Sequence, residues 1–219
     1  MYEKSEIVAS VCALLNADDK HNAMNLLITK AALVPIIKQP KLKKELIRSG
    51  NVDSIGVPGT LTKRQYTAFE STCLFITDGF IDRYDGERLI FPGVLRLLSD
   101  VFPNEFPYHP NWKSGACHQW YWELFPTVDH IVPVTLAGLD EPENWVTTSM
   151  FNNLMKSNTA LENLGWNIVP RGDFGEWDGL IHWFVKYLVD NPVLLQKSYI
   201  KNWYKAADKA LKTIKTSDE

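Results

Sequence analysis

The sequence has few cysteines, no long apolar run and no excess of positive charge. Its three cysteines (Cys12, Cys73 and Cys117) lie far apart and form no C-x-x-C pair, which argues against a disulfide framework and favours a reducing compartment. No apolar stretch approaches the roughly 20 residues that a membrane span needs, and the amino-terminal run MYEKSEIVAS lacks the basic-then-apolar form of an export signal. We therefore expect a cytoplasmic protein with no membrane partner.

The net charge of −3 gives no global attraction to nucleic acid, but the charge is unevenly distributed. Basic residues dominate the stretch 30–64, and lysines recur every three or four residues near the carboxyl end. The second pattern predicts a lysine stripe along one face of a helix. Such a stripe is usually a solvated face, and the alternative is a contact with a phosphate backbone, whose affinity falls with salt. The lysine stripe consists of Lys197, Lys201, Lys205, Lys209 and Lys212.

The spacing of apolar residues predicts an α+β fold with a helical amino-terminal part. Helical periodicity dominates residues 1–60, and the turn-rich segment 49–59 is the best candidate boundary, so that 61–219 form a second domain. The first elements predicted there are a helix over 62–76, a hairpin over 80–91 and an irregular proline- and aromatic-rich loop over 92–120. Two short strands are predicted within 121–148, followed by a helix over 149–161 with Ser149 as N-cap. The closing helices are predicted over 177–189 and 192–214.

One short run of the sequence carries the chemistry. The apolar residues 124–128 do not end in a turn but in an acid and an imidazole side by side, Asp129-His130, after which the chain returns to Ile-Val-Pro. The pattern from there predicts a strand, a loop, a second strand and a helix. Three polar residues follow at fixed distances from His130, namely Asn144 after 14 residues, Asn153 after 23 and Lys156 after 26.

This pattern resembles the HNH nuclease motif of the ββα-metal fold, which also occurs in homing endonucleases and some restriction enzymes. The matching run covers residues 129–156, and the wider stretch 80–166 is similar to bacterial proteins of comparable length that are presumed HNH endonucleases. The resemblance implies a small ββα-metal nuclease core at about 118–160, surrounded by helices. It further implies metal-dependent hydrolysis of phosphodiester bonds in DNA, in restriction, defence or a mobile element.

The resemblance also assigns a role to each motif residue. His130 is the general base that takes a proton from the attacking water, because histidine side chains titrate near neutral pH. Asp129 supplies a hard oxygen ligand to Mg²⁺ or Mn²⁺, and since adjacent strand residues face opposite sides, the pair flanks one phosphate. Asn153 is assigned as the second metal ligand, and the adjacent Asn152 is the competing choice. Asn144 braces the loop and orients His130, and Lys156 contacts a phosphate.

No structural zinc is expected, and this too follows from the resemblance. Many HNH proteins hold zinc with four cysteines, two in a hairpin of the form C-x-Y-C-G and two just before the metal ligand of the helix. Here Asp82 and Asp85 stand at the hairpin positions, while Ser149 and Asn152 stand at the helix positions. We expect the same architecture without zinc, supported by the additional helices and by the aromatic residues of 102–122.

Several alternatives remain open from the sequence. The motif does not distinguish a DNase from an RNase or toxin-type nuclease on the same core, and a non-catalytic nucleic-acid-binding protein that retains the scaffold is a further alternative. His118 either approaches the site or packs against its neighbours, and Arg83 forms either a salt bridge or a phosphate contact. Because one chain carries one such site, cutting both strands of a duplex needs a homodimer or two successive visits.

Overall fold

The computed structural model describes residues 3–31, 66–113 and 115–215. In these residues helices surround one antiparallel sheet of two strands, which confirms the predicted α+β class. No helix in this part of the chain is long and apolar enough to cross a membrane. The predicted boundary at 49–59 lies outside the described residues, so the division into two domains stays a prediction.

The helices differ widely in length, and the longest of them closes the described chain. They are α1 (Glu3–Asn16), α2 (Lys20–Ala31), α3 (Ala68–Thr77), α4 (Pro92–Val101), α5 (Trp120–Leu124), α6 (Met150–Lys156), α7 (Leu161–Leu164), α8 (Ile181–Asp190) and α9 (Ser198–Lys215). The strands are β1 (Pro126–His130) and β2 (Trp145–Ser149), and 3₁₀ turns cover Val134–Leu136, Pro142–Asn144 and Pro192–Gln196.

The hydrophobic core forms where helices from both halves of the chain meet. Val8 of α1, Leu95 of α4 and Phe184 of α8 are fully buried in one cluster. A Cβ added at Gly93 would come within 2.4 Å of the Phe184 ring, so glycine is what allows α4 to pack this closely on α8. The indole of Trp183 donates a hydrogen bond to the Cys12 carbonyl over 3.1 Å, which ties α8 to α1. The amino-terminal helices therefore share the core of the carboxyl-terminal ones.

Helix α3 begins at a capping box that also fixes the residue before it. The Thr67 hydroxyl accepts from the Glu70 amide at 3.1 Å, and the Glu70 carboxylate accepts from the Thr67 amide at 2.8 Å. Two otherwise unpaired amides of the first turn are thereby satisfied. The helix was predicted over 62–76, of which 62–65 lie outside the described residues. The cap places Tyr66 beside the end of β1, where it contacts the candidate site.

Two predictions about the middle of the chain were correct only in part. The stretch 92–120 was expected to be irregular, but its first part forms α4, because Pro92 suits the first helical turn, where no amide partner is needed. The predicted hairpin over 80–91 forms but is short: one antiparallel bridge joins Ile81 to Arg88, and the Asp82 amide donates to the Glu87 carbonyl at 2.8 Å. The side chains of Asp82 and Asp85 in this hairpin accept hydrogen bonds from β2 and α6.

The two closing helices begin later than predicted. Gly179 and Leu180 both have positive φ, +63° and +66°, so that helix α8 begins only at Ile181. The last segment starts as the 3₁₀ turn Pro192–Gln196, and α9 follows from Ser198. In both cases a local backbone turn that apolar periodicity does not reveal delays the α-helix.

A strand, a loop, a strand and a helix follow one another between residues 126 and 156, as predicted. β1 and β2 pair antiparallel, with Asp129 opposite Val146 and His130 opposite Trp145. Helix α6 starts directly after β2, because the Ser149 hydroxyl accepts from the Asn152 amide at 3.0 Å. The helix packs against both strands, and this places side chains of α6 next to the end of β1.

Candidate active site

The loop that joins β1 to β2 is held by Asn144. Its side-chain Oδ1 accepts from the Val132 amide at 2.9 Å, and its Nδ2 donates to the carbonyls of Val132 and Leu139 at 3.0 and 2.8 Å. A Cβ at Gly138 would lie 1.9 Å from the Val132 oxygen, so only glycine fits beneath this side chain. Asn144 was predicted to brace the loop, and its bonds connect both ends of it. It does not bond to His130 itself.

His130 is 5% exposed at the last position of β1. Its Nε2 lies 2.8 Å from Oδ1 of Asp140 and 3.3 Å from the hydroxyl of Tyr66. No described residue forms a hydrogen bond with its Nδ1. The imidazole is thus fixed at one ring nitrogen, and the other nitrogen has its hydrogen-bonding capacity available.

Asp140 is a residue that the sequence reasoning missed. Its Oδ1 accepts hydrogen bonds from the Tyr66 hydroxyl at 3.1 Å and from Nε1 of Trp145 at 3.0 Å, in addition to its contact with His130. Partial burial tends to raise the pKa of Asp140, but the hydrogen bonds from His130, Trp145 and Tyr66 outweigh it and lower the pKa below its ordinary value. Asp140 is therefore a carboxylate at neutral pH.

Asp129 is anchored through one of its two carboxylate oxygens. It is 8% exposed, and Oδ2 accepts from the Tyr84 hydroxyl at 2.7 Å and lies 3.0 Å from Nζ of Lys156. Burial, together with the nearby charge of Asp129, raises the pKa of Tyr84, so the phenol stays protonated and acts as a donor. Among the described residues none bonds to Oδ1, which leaves that oxygen available to a ligand.

Lys156 is buried, so it does not have the role that was predicted from the motif. It was expected to contact a phosphate, but it has no exposed surface, and its Nζ donates to the His130 carbonyl at 2.6 Å while pairing with Asp129. A fully buried ammonium cannot reach a nucleic acid. Lys156 instead holds the backbone of His130 and the side chain of Asp129 from inside the protein.

The two adjacent asparagines of α6 point to different surroundings. Nδ2 of Asn153 donates to Thr127 Oγ1 at 2.9 Å and to the Val128 carbonyl at 3.3 Å, so Asn153 lies against β1. Asn152 is turned toward the loop around Asp85. This arrangement favours Asn153 over Asn152 as the predicted metal ligand.

The donor atoms present suit a hard divalent cation. Asp129 Oδ1 and Asn153 Oδ1 have no hydrogen-bond partner within the described residues, and both are the oxygen donors that Mg²⁺ prefers. No group of three or more His, Cys, Asp or Glu in the described part of the chain is placed to hold a metal. Mg²⁺ keeps several waters in sites with few protein ligands, so two oxygens are compatible with it. Any cation here would be held by Asp129 and Asn153.

The four positions that the resemblance aligned with zinc-binding cysteines come together as a polar cluster. Asp82, Asp85, Ser149 and Asn152 form this cluster, and Nδ2 of Asn152 donates to both carboxylates, at 2.8 Å to Asp82 and 2.7 Å to Asp85. Asp82 also accepts from the Ser149 amide at 2.8 Å. Burial and the charge of Asp82 raise the pKa of Asp85. Hydrogen bonds thus join the loop to α6 at these four positions.

Arg83 forms a salt bridge, which decides between its two predicted roles. Its Nη1 lies 2.6 Å from Asp78, and its Nε donates to the Val169 carbonyl at 2.7 Å. Asp78 also accepts from the Thr147 amide at 2.8 Å. Arg83 therefore connects the end of α3 to β2 and is not placed to contact a phosphate.

His118 packs among aromatic rings, as one of its two predicted roles required. Its ring stacks on Phe106 with the centroids 4.3 Å apart and meets Trp120 edge-on at 5.1 Å. Its Nδ1 accepts from the Trp120 amide at 3.2 Å. Burial lowers the pKa of His118 to about 4. His118 belongs to the aromatic support below β1, in the region 102–122 where such support was predicted.

We expect His118 to make the protein less stable in mild acid. The unfolded chain binds a proton at His118 near pH 6.5, whereas the folded chain does so only near pH 4. The free energy of unfolding should therefore fall as the pH decreases through this window, by about 2–3 kcal/mol from this residue. Urea unfolding at pH 7 and pH 4.5 measures it. The free energy of unfolding should fall less in His118→Gln than in the wild type. In the control His21→Gln, which changes an exposed histidine, it should fall as much as in the wild type. Equal decreases in all three proteins would contradict the assignment.

Four lysines of the stripe are exposed on α9 and Lys197 directly precedes the helix. Three of the five already have partners. Lys197 pairs with Asp100 at 2.9 Å and Lys212 with Asp208 at 2.7 Å. Nζ of Lys209 lies 3.8 Å from the Phe69 ring centroid. In the described ranges no acidic partner is found for the other two, and the stripe's free charge is therefore concentrated at Lys201 and Lys205.

No protein-family model, curated protein or solved structure matches this chain. The resemblance to HNH nucleases therefore stays a prediction from the motif, and the geometry around His130 carries the functional argument.

Proposed function

We propose that this chain is a metal-dependent endonuclease that hydrolyses phosphodiester bonds in DNA, with β1, β2 and α6 as a ββα-metal core. The observation that carries the proposal is the pair at the end of β1. His130 has one ring nitrogen fixed and the other without a protein partner, and the adjacent Asp129 has one oxygen anchored and one available. A fixed base beside an available hard ligand is what phosphodiester hydrolysis requires.

Each residue then has a defined task in the reaction. Nδ1 of His130 takes the proton of a water that attacks the phosphorus, the P–O3′ bond breaks, and the 3′ oxygen is protonated to leave 5′-phosphate and 3′-hydroxyl ends. Asp129 and Asn153 would hold Mg²⁺ or Mn²⁺. When bound, the cation would supply charge stabilisation to the transition state. Asn144 keeps the loop in place, and Lys156 supports the strand end from behind.

Affinity for the phosphate backbone is assigned to the lysine stripe. Lys201, Lys205 and Lys209 are exposed on α9. Helix α9 packs against α3, and Tyr66, which directly precedes the capping box of α3, lies beside His130. Contacts of this kind are independent of sequence and weaken as salt releases counterions. The stripe therefore contributes non-specific binding.

Cleavage of supercoiled plasmid with Mg²⁺, Mn²⁺ or EDTA tests the proposal. We expect nicking or linearisation only when metal is present. Asn153→Ala removes one oxygen ligand and should raise the Mg²⁺ concentration needed for half-maximal cleavage by about 10- to 100-fold. Asn163→Ala, an exposed asparagine beyond the end of α6, is the matched control and should leave the requirement unchanged.

The substrate panel separates the alternatives. Cleavage of structured RNA but not of duplex or single-stranded DNA would replace the proposal by an RNase. If no nucleic acid is cut and calorimetry detects no Mg²⁺ or Mn²⁺ binding with or without DNA, the chain is a non-catalytic scaffold. Cleavage that persists in EDTA would refute the metal dependence.

A further inference from the structure

We infer that Asp140 is a positioning residue that fixes the tautomer of His130, so that the ring nitrogen facing the substrate carries the lone pair. The inference rests on the proposed function, because it concerns the same site. It adds a residue outside the motif that predicted the site, and it specifies which nitrogen acts as the base.

The hydrogen-bond partners of Asp140 determine the direction of its bond to His130. The indole of Trp145 can only donate a hydrogen bond, so the oxygen that it contacts, Oδ1, must accept. The same Oδ1 lies 2.8 Å from Nε2 of His130, and a carboxylate oxygen has only acceptor capacity. Nε2 must therefore carry a hydrogen.

The consequence for Nδ1 follows from the chemistry of imidazole. In a neutral ring one nitrogen is a donor and the other an acceptor. With the hydrogen on Nε2, the lone pair is on Nδ1, the nitrogen that no described residue contacts. That is the form needed to take a proton from water.

Tyr66 and Lys156 also contact His130, and their contacts are consistent with a hydrogen on Nε2. Tyr66 lies 3.3 Å from Nε2 and donates to Asp140, so it reinforces the acceptor role of that oxygen. Lys156 holds the backbone carbonyl of His130 at 2.6 Å, and the neighbouring Asp129 is paired with Lys156. Asp140 is the carboxylate that bonds directly to the ring, and its side chain is 42% exposed. We therefore expect the fold to remain intact when the side chain is removed.

Nitrogen NMR of the metal-free full chain, labelled with ¹⁵N-histidine, reads the tautomer directly. His130→Gln removes one imidazole signal and thereby assigns it among the five histidines. We expect the Nε2–H form in the wild type and a mixture of tautomers in Asp140→Ala. Asp140→Asn should restore the Nε2–H form, because Trp145 still directs an acceptor oxygen toward the ring. The control is Glu143→Ala, which removes an exposed acid of the same loop and should change nothing.

The same variants are then compared in plasmid cleavage. Asp140→Ala should lower kcat by about 10- to 100-fold with little change in KM, and Asp140→Asn should recover most of the rate. A tautomer that does not change in Asp140→Ala would overturn the inference, and so would a changed tautomer at an unchanged rate. If the wild type cleaves no nucleic acid, the proposed function fails, while the NMR result still decides whether Asp140 sets the tautomer.

Discussion

Replacing His130 by alanine is expected to lower the rate of metal-dependent plasmid cleavage by about 10²- to 10⁴-fold, the range that a positioned general base contributes. The loss should appear in kcat, because Nδ1 acts on the water and not on the binding of DNA. The free energy of unfolding should change little. Asp140 is exposed and keeps its bonds from Tyr66 and Trp145 when the imidazole is removed, so its carboxylate is not left without partners.

His182→Ala is the matched control for this experiment. His182 is an exposed histidine of α8, bonded to Asp178 at 2.8 Å, and its removal should leave cleavage unchanged. Activity of His130→Ala equal to that of the wild type would mean that a contaminating nuclease is being measured or that His130 is not the base. A loss accompanied by unfolding, visible in the far-ultraviolet dichroism, would also remove the support for a catalytic role.

The sequence predicted the strands and the helix around this site because their signals are local. An apolar run ending at Asp129 and a β-branched run from Trp145 set β1 and β2, and a serine before an apolar helix set the N-cap of α6. Periodicity and capping act over a few residues, so they can be read from one sequence. The motif spacing likewise anticipated that Asn144 would brace the loop.

The partners of the motif residues could not be predicted, because they come from distant parts of the chain. Tyr66 is brought to His130 by a helix cap that lies 64 residues away in sequence, and Asp140 is one acid among several in a polar loop. Lys156 was predicted to contact a phosphate because the motif assigns it that role, but a lysine can be buried when it is paired. Only the fold shows that Asp129 is that partner.

The polar cluster joins the loop around Asp82 to α6 through hydrogen bonds between protein groups. Four zinc ligands would join the loop to α6 through one ion, whereas here an amide of Asn152 bridges the carboxylates of Asp82 and Asp85. Asp82, Ser149 and Asn152 are buried and hydrogen-bonded, as buried polar groups must be, while Asp85 lies at the exposed edge of the cluster. Support was expected from the additional helices and from the aromatic residues of 102–122. The four positions also support one another through hydrogen bonds.

Replacing Lys156 by methionine is expected to lower the free energy of unfolding by about 3–5 kcal/mol, the usual cost of breaking a buried ion pair from one side. Methionine keeps most of the buried stem but has no ammonium. The carboxylate of Asp129 would remain buried with the Tyr84 hydroxyl as its one described partner, and the His130 carbonyl would lose a donor 2.6 Å away. Urea unfolding followed by fluorescence measures the change.

A double-mutant cycle separates the ion pair from the loss of packing. Asp129→Asn combined with Lys156→Met removes both charges, and the asparagine can still accept from Tyr84, so the double variant should be more stable than Lys156→Met alone. Lys205→Met, the same change at an exposed position of α9, should stay within about 0.5 kcal/mol of the wild type. If Lys156→Met unfolds like the wild type but binds DNA more weakly with a smaller salt dependence, Lys156 is a phosphate contact after all, and the strand end that carries Asp129 and His130 must open in solution to expose it.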